Sequence, residues 1–170
     1  MSINGVVNLV FSIFSLGCTH VKTETNLHTK EQAIEEESVK MMSNLEIIKS
    51  TYEGDSSEEN GKNLRKHLSK SATWKEADGF PLAGVYIGFE EISQKVFKRL
   101  STEWTDYRFV VEGYVDAENR VFAYGTYYGT YNETGRKFSA RVAHLWMLEN
   151  NKIVSFEQFV DSVPVDESMK

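Results

Sequence analysis

From residue 31 onward the apolar positions of the chain recur first at a helical period and then, past Trp104, at a period of two. Ile34, Met41, Leu45, Ile48 and Tyr52 fall at helical spacing between Glu31 and Glu53, which predicts one long amphipathic helix closed by Gly54. Its acidic run, Glu35 to Glu37, is a solvated face. Ser56 followed by Glu59 has capping-box spacing, and Leu64 with Leu68 lends a second, shorter helix a narrow apolar stripe. Phe89, Ile92, Val96 and Leu100 predict a third. The stretch between them, Ala72 to Gly88, holds Trp74, Phe80, Tyr86 and three glycines and reads as a loop.

After Trp104, four strand-like runs are separated by turn chemistry at Asp116–Asn119, Asn132–Gly135 and Glu149–Lys152. Strands of this length joined by tight turns pair with their neighbours, so an antiparallel meander is expected. The three preceding helices then cover one face of the sheet, which makes an α+β domain. Asn132-Glu133-Thr134 has the form of a glycosylation sequon, but beside Gly135 its residues suit a hairpin turn.

Composition narrows the partners. The chain has 170 residues, enough for one domain with a proper core, and 25 acidic against 19 basic side chains with no basic block, which argues against a nucleic-acid surface. The chain has ten Phe, eight Tyr and three Trp, most of them in the second half, where they either line an apolar cavity or form an ordinary aromatic core. The single cysteine, Cys18, excludes an intrachain disulfide and leaves the compartment open.

Cys18 lies in a leader that divides from the domain at about residue 40. Val6 to Phe14 is too short to span a membrane, for which about 18 apolar residues are needed. It matches a signal-peptide apolar region, and Gly17 before Cys18 resembles a lipoprotein processing site, after which Cys18 would be lipidated and residues up to 40 would form a polar tether. That expectation is an exported protein whose contact with a membrane is the lipid alone. Residues 1–17 carry no Lys or Arg and Ser15 stands where such sites have an aliphatic residue, so the other reading is a structureless leader ahead of a start at Met41 or Met42.

Several chemistries have no residues to carry them. His20, His28, His67 and His144 are scattered, with no pair at metal-ligand spacing. No glycine-rich phosphate loop opens a helix, and neither a G-x-S-x-G elbow nor a Cys–His pair supplies a nucleophile within the domain.

Taken with the order of elements, Tyr52-Glu53-Gly54-Asp55, Trp74-Lys75-Glu76, Pro81-Leu82-Ala83-Gly84-Val85-Tyr86, Ala143-His144-Leu145-Trp146 and Lys152-Ile153-Val154 leading to Phe159-Val160-Asp161 are the strings that matter. Residues 42–162 resemble the SnoaL-like branch of the nuclear transport factor 2-like superfamily, which also holds ketosteroid isomerase. The resemblance implies a cone in which a curved antiparallel β-sheet wraps the long N-terminal helix around an apolar pocket. It also implies a domain over residues 41–162 with a tail at 163–170, a homodimer formed through the sheet, and a small apolar molecule as partner. Isomerases, cyclases, hydrolases, dehydratases and non-catalytic binders share this superfamily, so the site must decide.

Within that frame Asp161 resembles the acid/base carboxylate that SnoaL-like cyclases carry at the end of the last strand, and it shares a strand face with Phe159. A solvated aspartate before Pro164 is the plain alternative. His144 shares a face with Trp146 and Leu148, either as proton partner or oxygen donor or as a satisfied core histidine. Glu76, two residues after Trp74, resembles by position the catalytic carboxylate of ketosteroid isomerase, against the alternative of an exposed loop residue. The isomerase's phenol position falls at Ile47 and its acid position at Ala143 or His144, so its steroid mechanism is disfavoured. The arginine–aspartate spacing of the superfamily's epoxide hydrolases is also broken, because Arg141 is followed two residues later by Ala143 and lies on the face opposite His144.

The first reading is therefore an enzyme moving a proton on a carbonyl-bearing small molecule as an isomerase, cyclase or dehydratase does, with no metal or organic cofactor. Asp161 is its base, His144 the partner and Glu76 a second carboxylate, between walls of Trp74, Tyr86, Trp146 and Phe159. A binding domain for an apolar ligand, or a dimerisation module with a filled interior, are the alternatives.

Overall fold

A computed structural model of the chain describes residues 42–170; the leader and Cys18 lie outside the described residues. Helix α1 (Asn44–Ser50) opens on a reciprocal cap in which Ser43 Oγ accepts from the Glu46 N–H and Glu46 Oε2 accepts from the Ser43 N–H at 2.7 Å. The apolar period runs through this point from Ile34, but the extended backbone of Ser43, with ψ 161°, starts the described helix here. Helix α2 (Ser57–His67) begins as expected, its Ser56 Oγ accepting from the Glu59 N–H.

Residues 72–88 are not a loop throughout. Strand β1 (Leu68–Glu76) follows α2 directly and pairs antiparallel with β2 (Gly84–Ile87). Ala72, Trp74 and Glu76 alternate inward, but the charge on Glu76 hides the period-2 pattern from any reading that expects apolar residues at buried positions. The third expected helix is continuous but divided: α3 (Gly88–Ile92), a π-helical turn (Ser93–Phe97) and α4 (Lys98–Glu103).

The meander consists of β3 (Trp104–Ala117), β4 (Arg120–Tyr131), β5 (Lys137–Glu149) and β6 (Lys152–Val160), joined at the three expected turns. Asn150 and Asn151 both adopt positive φ, the geometry of a tight hairpin. The six strands form one curved open sheet in the order β2-β1-β6-β5-β4-β3. It is mixed, because β1 lies parallel to β6 while every other pair is antiparallel.

The helices fill the concave side. Ile47, Ile48, Ile92 and Val96 are buried against Val121, Trp146 and Ile153, each such side chain contributing about 1.5–3 kcal/mol. The segment after residue 162 is more than a tail. Pro164 lies in the first turn of α5 (Val163–Ser168), Val165 is fully buried, and Thr134 Oγ1 donates to the Ser168 carbonyl at 2.6 Å.

Candidate active site

One register shift decides which residues of β6 face inward. From the tight turn, Glu149 pairs with Lys152 and Leu148 with Ile153, but Met147 pairs with Ser155, so β6 carries one extra residue, Val154. Beyond this bulge Trp146 faces Phe156 and His144 faces Gln158. Strict alternation without the bulge would place Glu157, Phe159 and Asp161 on the His144 face, because a one-residue slip exchanges the two faces. In the structure Phe159 pairs with Ala143 on the convex face and is 48% exposed. Asp161 is exposed beyond the strand end, its N–H donating to the Arg141 carbonyl. Neither reaches the interior.

The inward residues surround a cavity of about 370 Å³ between the sheet, Thr51 and Tyr52 at the end of α1, α2 and the π-helical turn. Trp74, Phe97, Phe109, Tyr107, Trp146 and Phe156 form most of its wall, and Ser57, Asn60 and Gly61 lie at its exposed end. Trp74 stacks on Phe156 with centroids 3.7 Å apart and meets Phe97 edge-on at 5.5 Å. The π-helical turn contributes both Val96 and Phe97 to the lining. Tyr86 sits opposite Trp74 across the β1–β2 pair, but it donates its hydroxyl to the Leu82 carbonyl at 2.8 Å and lies outside the lining.

Glu76 enters this cavity from the end of β1. Its Oε1 accepts from Trp74 Nε1–H at 2.7 Å, and its Oε2 is buried with no hydrogen-bond partner among the described residues. Burial disfavours the carboxylate and outweighs the indole hydrogen bond, raising the pKa to about 7. The group is therefore poised between acid and base near neutrality.

His144 lies on the same concave face. Its Nδ1 is 2.6 Å from Tyr52 Oη and its Nε2 is 2.6 Å from Tyr127 Oη. Trp146 Nε1–H donates to Tyr52 Oη at 2.9 Å, and Gln158 Nε2–H donates to Tyr127 Oη at 3.3 Å. Burial lowers the imidazole pKa to about 3, so the ring is neutral near pH 7 and acts through hydrogen bonds rather than charge. Tyr52 and Tyr127 are raised above the usual phenol range, chiefly by burial, and stay protonated.

A family model for the SnoaL-like domain matches residues 52–156, more than half of the chain, and spans every residue of this cavity except Thr51 and Gln158. The chain belongs to the SnoaL-like family. An NTF2-like protein from Burkholderia thailandensis superposes with a TM-score of 0.73 at 37% identity, covering 76% of this SnoaL-like chain and 99% of that protein. TerC, co-crystallised with polyporic acid, gives a TM-score of 0.65 at 20% identity over 74% of this chain and 97% of its own. A SnoaL-like polyketide cyclase homologue from Mesorhizobium loti gives 0.60 at 22% over 69% and 99%. No functionally curated protein matches the chain.

Of the residues expected at the site of this SnoaL-like domain, the structure brings together Glu76, His144, Trp74 and Trp146, and it leaves out Asp161, Phe159 and Tyr86. Tyr52, Phe109, Tyr127 and Gln158 join the site without being expected there from the sequence. A signal for Tyr127 exists in the alternation of Gly125, Tyr127 and Gly129 along the inner face of β4. A Cβ at Gly125 would stand 2.0 Å from the Val110 carbonyl and 3.0 Å from the Phe109 ring, so the glycine lets β3 close over the cavity.

Proposed function

We propose that this SnoaL-like protein is a cofactor-independent acid–base enzyme that moves a proton at a carbon next to the carbonyl of a neutral, largely apolar small molecule. The carrying observation is Glu76, a buried carboxyl with one oxygen unpartnered in an aromatic cavity and a pKa of about 7. As carboxylate, Glu76 takes the proton; the C–H electron pair moves into the carbonyl and leaves an enolate oxygen. A phenolic O–H of the Tyr52–His144–Tyr127 group donates to that oxygen, where a dry surrounding strengthens the interaction. Return of the proton from Glu76 to the same or a conjugated carbon completes exchange or isomerisation. The lining includes no Lys or Arg, so an uncharged substrate fits better than an anion.

The test is deuterium exchange into a panel of aryl and alicyclic ketones in D2O, followed by NMR. Glu76→Gln keeps the acceptor for Trp74 and removes the proton-transfer group, so exchange should fall at least about 100-fold with ligand affinity retained. Unchanged exchange removes Glu76 from the chemistry. A binding module without turnover is the second reading, favoured by His144, which at a pKa of about 3 supplies no second acid–base group near neutrality. It gains if ketones bind the wild-type protein and none exchanges.

A further inference from the structure

The hydrogen bonds around His144 carry a constraint that follows from counting protons. At one end the Trp146 indole can only donate, and it donates to Tyr52. At the other, Gln158 Oε1 accepts from the Ala77 N–H at 3.2 Å, which orients its amide nitrogen toward Tyr127. Between these fixed donors a neutral imidazole and two phenols bring three protons to two contacts, Tyr52–His144 and His144–Tyr127. One proton is left over.

The position of the spare proton depends on the imidazole. With His144 protonated on Nε2, Tyr52 donates to Nδ1, Nε2–H donates to Tyr127, and the spare proton is on Tyr127. With His144 protonated on Nδ1, that N–H donates to Tyr52, Tyr127 donates to Nε2, and the spare proton is on Tyr52. In either arrangement the phenol holding it accepts two hydrogen bonds, which polarise its O–H and make it the stronger donor. Both phenols line the cavity.

We propose that His144 is a tautomeric selector, a positioning residue whose tautomer decides whether Tyr52 or Tyr127 offers the one spare phenolic proton to a ligand. The His144-linked pair then presents one phenol donor at a time to a single acceptor oxygen, and each tyrosine of the pair can replace the other; Tyr107, a third phenol of the lining, stands outside this pair, its hydroxyl without a hydrogen-bond partner among the described residues. This deepens the proposed reading of the cavity as a site for carbonyl compounds, but its main readout needs no turnover.

The test combines nitrogen-15 NMR of the full chain with an isosteric probe pair, 2-acetylnaphthalene and 2-isopropenylnaphthalene, which differ in the acceptor oxygen. In Tyr52→Phe the unpartnered ring position falls at Nδ1, and a bare acceptor is less costly there than an orphaned N–H, so His144 becomes the Nε2–H tautomer. In Tyr127→Phe it becomes the Nδ1–H tautomer by the same reasoning. In a Tyr107→Phe background, which removes the third phenol of the lining, the preference for the ketone, about tenfold, should persist within about threefold when either tyrosine is replaced and vanish when both are. The same tautomer in both variants overturns the proposal, as does complete loss of the preference in one single variant and none in the other. If the variants fail to fold, the wild-type spectrum decides: one protonated nitrogen on His144 at pH 7 supports the selector, and two protonated nitrogens overturn it. Absence of ketone exchange by the wild-type protein, with opposite tautomers in the two variants, would defeat the catalytic reading alone.

Discussion

The two faces of the sheet each carry a glutamate next to a threonine- or tyrosine-bearing strand, and they treat it in opposite ways. On the concave side Glu76 is buried, has one free oxygen and a pKa raised to about 7 by desolvation. On the convex side Glu112 is exposed, pairs with Arg141 and accepts from Thr126 Oγ1 at 2.9 Å, and its pKa is lowered, chiefly by the Arg141 hydrogen bond. Burial without a cation yields a carboxyl that can exchange protons near pH 7, whereas an exposed ion pair yields a permanent anion. The chemistry therefore follows the face, and the face follows strand register.

The largest effect that would sharpen this contrast is the pH dependence of stability. Below about 4.5 Glu76 is protonated in both folded and unfolded chains and burial adds no ionisation penalty. Between 4.5 and about 7 the unfolded chain ionises while the folded one does not, so stability contributed by the neutral carboxyl is progressively lost as pH rises. Glu76→Gln should escape that loss. Its stability relative to wild type should climb through this window and level off above pH 7, by roughly 3 kcal/mol in urea unfolding. His144 acts in the opposite direction: its lowered pKa makes the fold gain stability from about pH 3 up to 6.5. A variant-to-wild-type difference that stays flat with pH would show that Glu76 is solvated and would erase the distinction between the faces.

A smaller effect is expected from the convex side. Glu112→Gln breaks an exposed pair, so the melting temperature should move by no more than about 4 °C, and the shift should shrink as salt is added. Ketone exchange should stay within about twofold. A loss comparable to that of Glu76→Gln would mean that the convex cluster reaches the cavity chemistry, which its place on the sheet does not provide.

The same dependence of chemistry on register governs how much of the site the amino-acid sequence discloses by itself. The meander is legible because its turns carry residues suited to positive φ and its strands alternate cleanly, as at Asn150 and Asn151. The inward side of β5 is legible for the same reason, which is why His144 and Trp146 are where alternation puts them. β1 is hidden because the carboxyl of Glu76 occupies an inward strand position, where the period-2 pattern expects an apolar side chain. The start of α1 is hidden although Ser43 and Glu46 have capping spacing, because the apolar period passes across it from Ile34. The β6 bulge leaves no trace in the pattern: Ile153, Phe156 and Gln158 are its buried residues, and two different spacings separate them.

That bulge sets up the smallest expected effect. Asp161 resembles a family base by its place in the sequence, yet the extra residue on β6 turns Phe159 outward, and Asp161 beyond the strand end is exposed. Among the described residues its carboxylate makes one hydrogen bond, a long one of 3.4 Å accepted from the Val163 N–H at the start of α5. Asp161→Asn preserves an oxygen for that contact and places no change in the cavity, so exchange should remain within about twofold and the melting temperature within about 2 °C. The result discriminates between registers because the bulge-free alignment makes the opposite forecast, a loss as deep as that of Glu76→Gln. A collapse of exchange in Asp161→Asn, with folding intact, would mean that β6 pairs without Val154 looped out. It would transfer the proton-moving role from the end of β1 to the end of β6, and with it the whole assignment of inner and outer faces.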